Sequence, residues 1–453
     1  MANSRRPSRG RRPQQKRSPQ SLPANTEVEI RDLSHEGRGV ARVDERTLFV
    51  EGALPGERVE VRYQKRRGKF DEGVAVKVLA SSPLRTEPPC PHFSRCGGCQ
   101  LQHLSIQGQV DHKQQLLLRT LQRLGKVEPE CILEPIIGEP WGYRRRARLA
   151  VRYLAKEDRV ELGFRQAETD QLVPIKQCPI LMAPFSDLIP LLAELIQQLS
   201  CRKRIPQIEL LAADNGSAVN LHLLAELTDA DRDILDTFAR DHQLAIYLQT
   251  GATDTVQSLH GSTEPLTYSL PGWDLDLMFL PGSFVQVNPE VNRRLIAKAI
   301  ELLDLKGDEE VLDLFCGLGN FTLPLSRQAT RVVGVEGSAR AIELAEQNAA
   351  HNGIENCEFH VADLSINPRK AGWTRHSYDA VLLDPPRSGA AEMISWIGQS
   401  GVPKVLYISC HPGSLARDVG ELVTGYGYRL KMAGAVDMFP HTSHLESIVL
   451  LEK

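Results

Sequence analysis

The sequence lacks any long apolar segment and has few cysteines for its length. No run of about 18 uncharged apolar residues occurs in the 453 residues, so we expect no membrane-spanning helix. The basic N-terminal stretch has no apolar segment behind its charges, so we expect no secretory signal. Nine cysteines in so long a chain do not make a disulfide framework. They suit a protein of the reducing cytoplasm whose thiols bind metal or act in catalysis.

The chain has little net charge, −3 from 54 basic and 57 acidic residues, but the charges are unevenly spread. Residues 1–22 are basic, contain almost nothing apolar and are predicted to be a disordered tail. Such a tail is typical of RNA-binding arms and equally of solubilising segments. Residues 23–81 alternate apolar and polar residues in five short runs, which predicts a small β-barrel of the oligonucleotide-binding type. This barrel would carry five basic residues on its polar surface, which either contact phosphates or form a solvated hairpin tip: Arg62, Lys65, Arg66, Arg67 and Lys69.

The rest of the chain divides by its pattern into two further domains. Residues 82–275 are predicted to form a cysteine-rich segment, an amphipathic helix over 108–125 and a central α+β domain. Residues 276–453 alternate strands and helices, which predicts an open, mostly parallel sheet with helices on both faces. The predicted fold class is therefore multidomain α/β, with a small N-terminal β-barrel and a Rossmann-like C-terminal domain.

A nucleotide-binding motif lies at the start of the alternating segment. Asp-Leu-Phe-Cys-Gly-Leu-Gly-Asn-Phe, residues 313–321, follows an apolar strand and opens a helix, the context in which a Gly-x-Gly turn is informative. Glu336 ends the next strand, where a carboxylate accepts both ribose hydroxyls, and Asp363 ends the following strand, near an adenine. A nicotinamide dinucleotide is the alternative ligand, but the turn lacks the third glycine of that fingerprint. The turn resembles the S-adenosylmethionine (SAM) loop of class I methyltransferases.

Two further strand ends predict the reaction centre. Asp384-Pro-Pro-Arg387 stands where methyltransferases of bases often have Asp/Asn-Pro-Pro-aromatic, and the arginine argues against an exocyclic amine as acceptor. Cys410 ends the next strand at the same sheet edge, which favours a nucleophile over a buried structural cysteine. Carbon 5 of uracil needs such a thiol, because thiolate addition to C6 makes C5 a carbon nucleophile, and a base must then remove the C5 proton. Glu446 is that base or, on spacing alone, a structural acid.

A second group of cysteines predicts a metal site. Three of them lie close together in a Gly- and Pro-rich loop, namely Cys90, Cys96 and Cys99. Cys178 has a proline neighbour and is a better fourth ligand than Cys131 or Cys201. Four thiolates suit tetrahedral zinc or an iron–sulfur cluster, and spacing does not separate the two.

Taken together, the motifs resemble one family over nearly the whole chain. The relevant segments read Phe-Val-Gln-Val-Asn, Asp-Leu-Phe-Cys-Gly-Leu-Gly-Asn-Phe, Asp-Pro-Pro-Arg-Ser-Gly, Tyr-Ile-Ser-Cys-His-Pro and His-Thr-Ser-His-Leu-Glu-Ser. They are similar to segments of the bacterial RNA uridine-5-methyltransferases. The barrel is similar to a TRAM domain, and barrel and cysteine group together most resemble the members that act on 23S ribosomal RNA. The family often has Asn where His411 stands, and some relatives have Asn in place of Asp363.

The resemblance implies methylation of C5 of a uridine in 23S ribosomal RNA, with Cys410 as nucleophile and Glu446 as general base. It implies contacts with SAM from six residues: Gln286, Phe315, Asn320, Glu336, Asp363 and Asp384. It favours a structural [4Fe–4S] cluster over zinc, with four ligands: Cys90, Cys96, Cys99 and Cys178.

The expected partner is 23S ribosomal RNA, bound by a cytoplasmic monomer with no membrane association. The target base must be flipped out or already looped. Cations beside aromatic residues at positions 141–148 would contact RNA, and Phe284 would stack on a base. A tRNA uridine-5-methyltransferase is one alternative, and an RNA-binding assembly factor with a vestigial SAM fold is another.

Overall fold

The computed structural model describes residues 22–167, 169–252, 255–261, 265–368 and 371–453. Residues 1–21, which hold nearly all of the predicted basic tail, lie outside the described part. The chain divides into two compact units, one ending at Arg85 and one spanning Thr86–Lys453. Among the described helices, none is long and apolar enough to cross a membrane.

The first unit is a small β domain, as predicted. Its described strands number six rather than five and pair in the order β1-β5-β6-β4-β3-β2. Their bounds are β1 Thr26–Glu29, β2 Asp32–Leu33, β3 Gly39–Val43, β4 Arg46–Glu51, β5 Arg58–Arg66 and β6 Phe70–Ala80. Alternation in β5 buries Val59, Val61 and Tyr63 and leaves Arg62 exposed. The other predicted basic residues are exposed too, at Lys65, Arg66, Arg67 and Lys69.

The second unit begins with the cysteine loop and continues into a mixed sheet. Its first elements are helix α1 (Ile106–Thr120), a π-helical turn (Leu121–Gly125) and strand β7 (Cys131–Ile132). The sheet follows with β8 Arg146–Leu154, β9 Arg159–Arg165, β10 Leu172–Pro174, β11 Gln207–Ala213, β12 Gly216–His222, β13 Leu244–Gln249 and β14 Val256–Ser258. Its strand order is β10-β9-β8-β11-β12-β13-β14. Helices α2 (Phe185–Gln198) and α3 (Asp229–His242) contribute to the apolar core of this sheet.

A hairpin, β15 (Leu266–Leu270) and β16 (Leu275–Phe279), leads into the C-terminal sheet. The remaining elements are α4 Pro289–Leu303, β17 Glu310–Leu314, α5 Thr322–Ser326, β18 Arg331–Glu336, α6 Ala339–His351, β19 Cys357–Val361, β20 Ala380–Leu383, α7 Ala391–Ser400, β21 Lys404–Ser409, α8 Pro412–Tyr426, β22 Arg429–Val436 and β23 Glu446–Glu452. The strand order is β19-β18-β17-β20-β21-β23-β22-β7, and the first five strands are parallel.

The parallel strands are buried on both faces, which explains their continuous apolar sequences. In β17, Val311 belongs to one apolar core and Leu312 to a second one. Alternate residues of β20 divide in the same way, with Leu382 in the first core and Val381 in the second. The two cores are therefore the two faces of one sheet, and the predicted architecture is confirmed.

The predicted domain boundary is wrong for the segment that contains α1 and β7. Leu117 and Leu121 belong to the second core of the C-terminal sheet, where α1 packs on α8 and β22 and the π-helical turn packs on α8. Strand β7 pairs with β22 and forms the edge of that sheet. This segment, which we placed in the central domain, therefore belongs to the C-terminal domain. The pairing joins positions about 300 residues apart, so local periodicity carries no sign of it.

Candidate active site

The six residues predicted to contact the cofactor line one cavity of about 770 Å³. They come from the loop before α4 and from the carboxyl ends of β17, β18, β19 and β20, and comprise Gln286, Phe315, Asn320, Glu336, Asp363 and Asp384. Open α/β sheets bind their ligands at this edge, and the volume is typical of a small-molecule site.

The turn after β17 is held by a buried carboxyl group. The hydroxyl of Thr322 donates a hydrogen bond of 2.6 Å to Asp313, which is fully buried. Burial raises the pKa of Asp313 to about 7, with smaller contributions from the charges of Asp384 and Glu336. Phe315 has a φ of 66° and Gly319 a φ of 97°, so the backbone reverses sharply before α5.

Two of the lining carboxylates are fixed by their neighbours. Glu336 accepts hydrogen bonds from the backbone amides of Gly317 (3.3 Å) and Ser338 (3.0 Å). Asp363 accepts one from the amide of Ser365 (2.9 Å) and one from its hydroxyl (2.6 Å), and these bonds lower the pKa of Asp363. Both carboxylates are thus oriented before any ligand binds.

Asn320 lies in a small amide network that the sequence did not reveal. Its Oδ1 accepts from the hydroxyl of Tyr268 (2.9 Å) and from Nδ2 of Asn292 (2.8 Å), and its Nδ2 donates back to Asn292 (3.0 Å). Tyr268 comes from hairpin β15–β16 and Asn292 from α4, so neither belongs to the motif itself.

Strand pairing brings the predicted nucleophile and base together. Ser409 of β21 pairs with Ser447 of β23, and the hydroxyl of Ser447 donates to the carbonyl of Ser409 (3.0 Å). Cys410 directly follows this pair and Glu446 directly precedes it, and both residues line the cofactor cavity.

Both groups have strongly raised pKa values. Burial, and then the charge of Asp384, raises the pKa of Glu446 well above its usual range. Burial raises the pKa of Cys410 to about 11, assisted by Glu446 and Asp384 and opposed by Arg387. Burial also raises the pKa of Asp384 to about 7. Burial therefore favours the neutral forms of all three groups.

Cys410 lies on a wall shared by two cavities. A second cavity, of about 790 Å³, has Cys410, Arg387, Phe284 and Phe439 in common with the first. Phe284 exposes 73% of its surface there. The second cavity is also lined by three arginines of the predicted RNA-contact stretch, Arg144, Arg146 and Arg148. The Cys410 thiol is thus reached from the predicted cofactor cavity on one side and from the arginine-lined cavity on the other.

The second cavity also gathers the four predicted cluster cysteines: Cys90, Cys96, Cys99 and Cys178. Burial raises the pKa of Cys178 to about 12, with added contributions from the other three thiols, and the pKa of Cys99 to about 11. Among the described residues, no three His, Cys, Asp or Glu side chains already stand in a metal-binding arrangement. Four thiols on one cavity wall nevertheless fit, as a donor set, a four-thiolate centre.

The loop that carries three of these cysteines is fixed to the central sheet. The amide of Gly97 donates to the carbonyl of Arg165 (3.0 Å), and Cys96 forms a β-bridge with Gln166. A Cβ atom at Gly97 would lie 2.9 Å from the Arg165 carbonyl oxygen, so this close approach requires glycine.

His411, which departs from the residue common in the resembled family, caps helix α8. Its Nδ1 accepts a hydrogen bond from the amide of Ser414 (3.1 Å), so the ring proton is on Nε2. Asn is among the preferred residues at this helix position. His411 therefore performs the capping role that Asn would have.

A sequence profile described as "tRNA (Uracil-5-)-methyltransferase" matches residues 106–453. The chain belongs to this family. The uracil-5-methyltransferase match begins at the start of α1, in agreement with the packing of that helix on the C-terminal sheet. A TRAM domain profile matches residues 25–76, within the first unit.

The relatives include enzymes of ribosomal RNA. The chain is 46% identical to the "23S rRNA (uracil(1939)-C(5))-methyltransferase RlmD" of Stenotrophomonas maltophilia, over 94% of this chain and 97% of that one. It is 47% identical to the protein of the same description from Alkalilimnicola ehrlichii, over 94% and 96%. Among solved structures, the Pyrococcus abyssi tRNA (uracil-54, C5)-methyltransferase in complex with S-adenosyl-L-homocysteine matches with a TM-score of 0.72 and 28% identity, over 94% and 99%. The predicted family and fold class are confirmed, whereas the roles of individual residues and the metal cluster stay predictions.

Proposed function

We propose that this protein transfers a methyl group from SAM to C5 of uracil 1939 in 23S ribosomal RNA. The 45–47% identity to enzymes with that description, over 94% of the chain, supports this substrate over tRNA. The single observation that carries the chemistry is that Cys410 and the buried Glu446 flank the Ser409–Ser447 pair and both line the cofactor cavity, while Cys410 also lines the second cavity.

Cys410 and Glu446 account for the addition, deprotonation and elimination steps. The Cys410 thiolate adds to C6 of uracil, which forms the S–C6 bond and moves an electron pair toward C5 and O4. C5 then takes the methyl group, which bound SAM would supply as an electrophile while the electron pair of the broken S–CH3 bond stays on its sulfur. Glu446 removes the C5 proton, the electron pair re-forms the C5–C6 double bond, and the thiolate leaves.

The protonation state of Glu446 sets a condition on these reaction steps. Burial and the charge of Asp384 raise the pKa of Glu446 and so favour its protonated form, which cannot accept the C5 proton. A positive charge in the cofactor cavity favours the anionic forms of nearby groups. We therefore expect the loaded cofactor cavity to prepare both Cys410 and Glu446.

RNA is proposed to enter through the second cavity. The exposed Phe284 offers an aromatic face on which a flipped base can stack. The half-exposed side chain of Arg148 can contact the phosphate backbone of the RNA. The exposed basic residues of the first unit suit additional phosphate contacts. We propose that the protein acts on RNA as a cytoplasmic monomer.

We also propose that the four cysteines on the second cavity hold a [4Fe–4S] cluster. Anaerobically purified protein should be brown, with visible absorbance that Cys99→Ser abolishes. The exposed Cys131 provides the matched control, since Cys131→Ser should retain the colour. A colourless protein that contains about one zinc per chain would contradict the proposal.

The reaction is tested by covalent trapping. The protein is incubated with SAM and with 23S fragments that carry 5-fluorouridine at the target, and run on a denaturing gel. Fluorine cannot leave as a proton does, so the adduct should persist, and Cys410→Ala should abolish it. Glu446→Gln should accumulate a methylated adduct even with natural RNA. An adduct with tRNA alone would keep the chemistry and refute the substrate, and no adduct with either RNA would refute the thiol mechanism.

A further inference from the structure

The segment between β22 and β23 determines where Glu446 stands. This segment, residues 437–445, is called the base loop below. Val436, before the loop, pairs with Glu446, which follows it. The loop also contributes Phe439 to both cavities and Thr442 and His444 to the second one. A change in the base loop would therefore move the proposed base and the walls around the substrate together.

Contacts from several elements hold the centre of the base loop. His441, with a φ of 67°, stacks on Trp141 with ring centroids 3.7 Å apart. Its amide donates to Oε1 of Gln109 (2.7 Å), and its carbonyl accepts from the amides of Gln100 and Leu101 (2.9 Å each). These contacts come from the cysteine loop, from α1 and from the start of the central domain.

The beginning of the base loop is held by a buried ion pair. Lys113 of α1 is 1% exposed, and its ammonium group donates to Oδ1 of Asp437 (2.6 Å) and to the carbonyl of Phe439 (3.0 Å). Asp437 is buried as well. Lys113 thus ties the first and third residues of the loop to a helix that packs on the same sheet.

Burying such a pair brings little stability. Desolvation of two charges offsets their attraction, and apolar residues of similar volume often replace a buried pair with no loss of stability. Unlike an apolar side chain, an ammonium group donates hydrogen bonds, and here these bonds orient the Asp437 carboxylate and the Phe439 carbonyl. The geometry at Lys113 thus suits control of loop conformation better than it suits stabilisation.

We propose that Lys113 is a positioning residue for Glu446, which it keeps in reach of the C5 proton through Asp437 and Phe439. The inference rests on the proposed function. It predicts a selective defect, because addition of Cys410 and methyl transfer precede the step that needs Glu446. Loss of Lys113 should slow C5 deprotonation and leave adduct formation intact.

Two variants test this role independently of folding. Lys113→Met leaves Asp437 buried without its partner and should destabilise the protein, whereas the double variant Lys113→Met/Asp437→Leu replaces the pair with apolar groups. Leu117→Ala, one turn further along α1 and fully buried, is the matched control for a purely destabilised helix. Each variant is compared at a temperature where it is folded.

The readout separates the two halves of the reaction. With 5-fluorouridine RNA, the double variant should form its adduct within about twofold of the wild-type rate. With natural RNA it should accumulate methylated adduct and release product at least about tenfold more slowly, which is a part of the roughly 10²–10⁴-fold that a positioned base contributes. Leu117→Ala should show neither effect. Wild-type release by the double variant, or equal slowing with both RNAs, would overturn the role of Lys113, whereas a wild-type protein that forms no adduct refutes the proposed function itself.

Discussion

In the ligand-free protein, Cys410 should react slowly with alkylating reagents. Burial and two neighbouring carboxyls raise the pKa of its thiol from 9.0 to about 11, which reduces the thiolate fraction at neutral pH roughly a hundredfold. A more basic thiolate attacks faster, with a Brønsted slope of about 0.4–0.5, which restores about tenfold. The expected net effect is a rate of alkylation roughly tenfold below that of an unperturbed thiol.

A cationic cofactor analogue should reverse most of this effect. At a separation of about 6 Å and an effective dielectric constant of about 20, a unit positive charge stabilises the thiolate by about 3 kcal/mol. This energy corresponds to a return of the thiol pKa to about 9. Sinefungin carries an amine where SAM carries its sulfonium, whereas S-adenosylhomocysteine is neutral there. The two analogues cover the thiol similarly and differ in charge.

The assay follows iodoacetamide labelling of the Cys410 peptide by mass spectrometry between pH 6 and 10. It compares free protein with the protein saturated by each analogue, and the exposed Cys131 in the same sample corrects for the reagent. Sinefungin should shift the labelling curve to lower pH, and S-adenosylhomocysteine should not. Identical curves with both analogues would refute the electrostatic argument, as would a free-protein curve with its midpoint near pH 8.5.

Three further predictions concern the supports of the site. Asp313→Asn should flatten the pH dependence of the free energy of unfolding. The pKa of Asp313 is about 7 in the folded protein and 3.8 in the unfolded chain, so its contribution to stability is present at low pH and is lost between about pH 4 and 7, by at most about 4 kcal/mol. Urea denaturation at several pH values measures this loss, and the same pH dependence in wild type and variant would contradict the prediction. His411→Ala should cost about 1 kcal/mol through loss of the cap on Ser414 and His411→Asn almost nothing, and equal melting temperatures for the two variants would disprove the capping role. Tyr268→Phe should weaken SAM binding by about 1 kcal/mol because Asn320 loses one of its bonds, as calorimetry would show; unchanged affinity would mean that Asn292 alone orients Asn320.

The sequence predicted which residues meet at one sheet edge wherever those residues end consecutive strands. Glu336, Asp363, Asp384 and Cys410 each follow an apolar run, and parallel strands must bring such ends to one edge of the sheet. Cys410 and Glu446 lie near each other because β23 pairs antiparallel with β21. Periodicity predicts a strand at β23 but does not determine the register of this pairing.

Residues that act through distant contacts could not be predicted. Lys113 reads as one polar position of an amphipathic helix, and nothing nearby indicates that Asp437, more than 300 residues later, is its partner. Tyr268 likewise sits in an ordinary alternating hairpin, and its bond to Asn320 exists only because that hairpin folds against the C-terminal domain. Such pairings are set by topology, which local sequence does not encode.

The completion of the C-terminal sheet by α1 and β7 has a consequence for synthesis. Helix α1 ends at Thr120, and its partner strand β22 begins at Arg429, so the ribosome makes more than 300 residues between them. During that interval the apolar side of the helix, including Leu117, has none of its final neighbours on β22 or α8. Domains generally fold as units while they emerge from the ribosome, but this one cannot close until β22 has been made. The nascent chain should therefore depend on chaperones longer than its length alone would suggest.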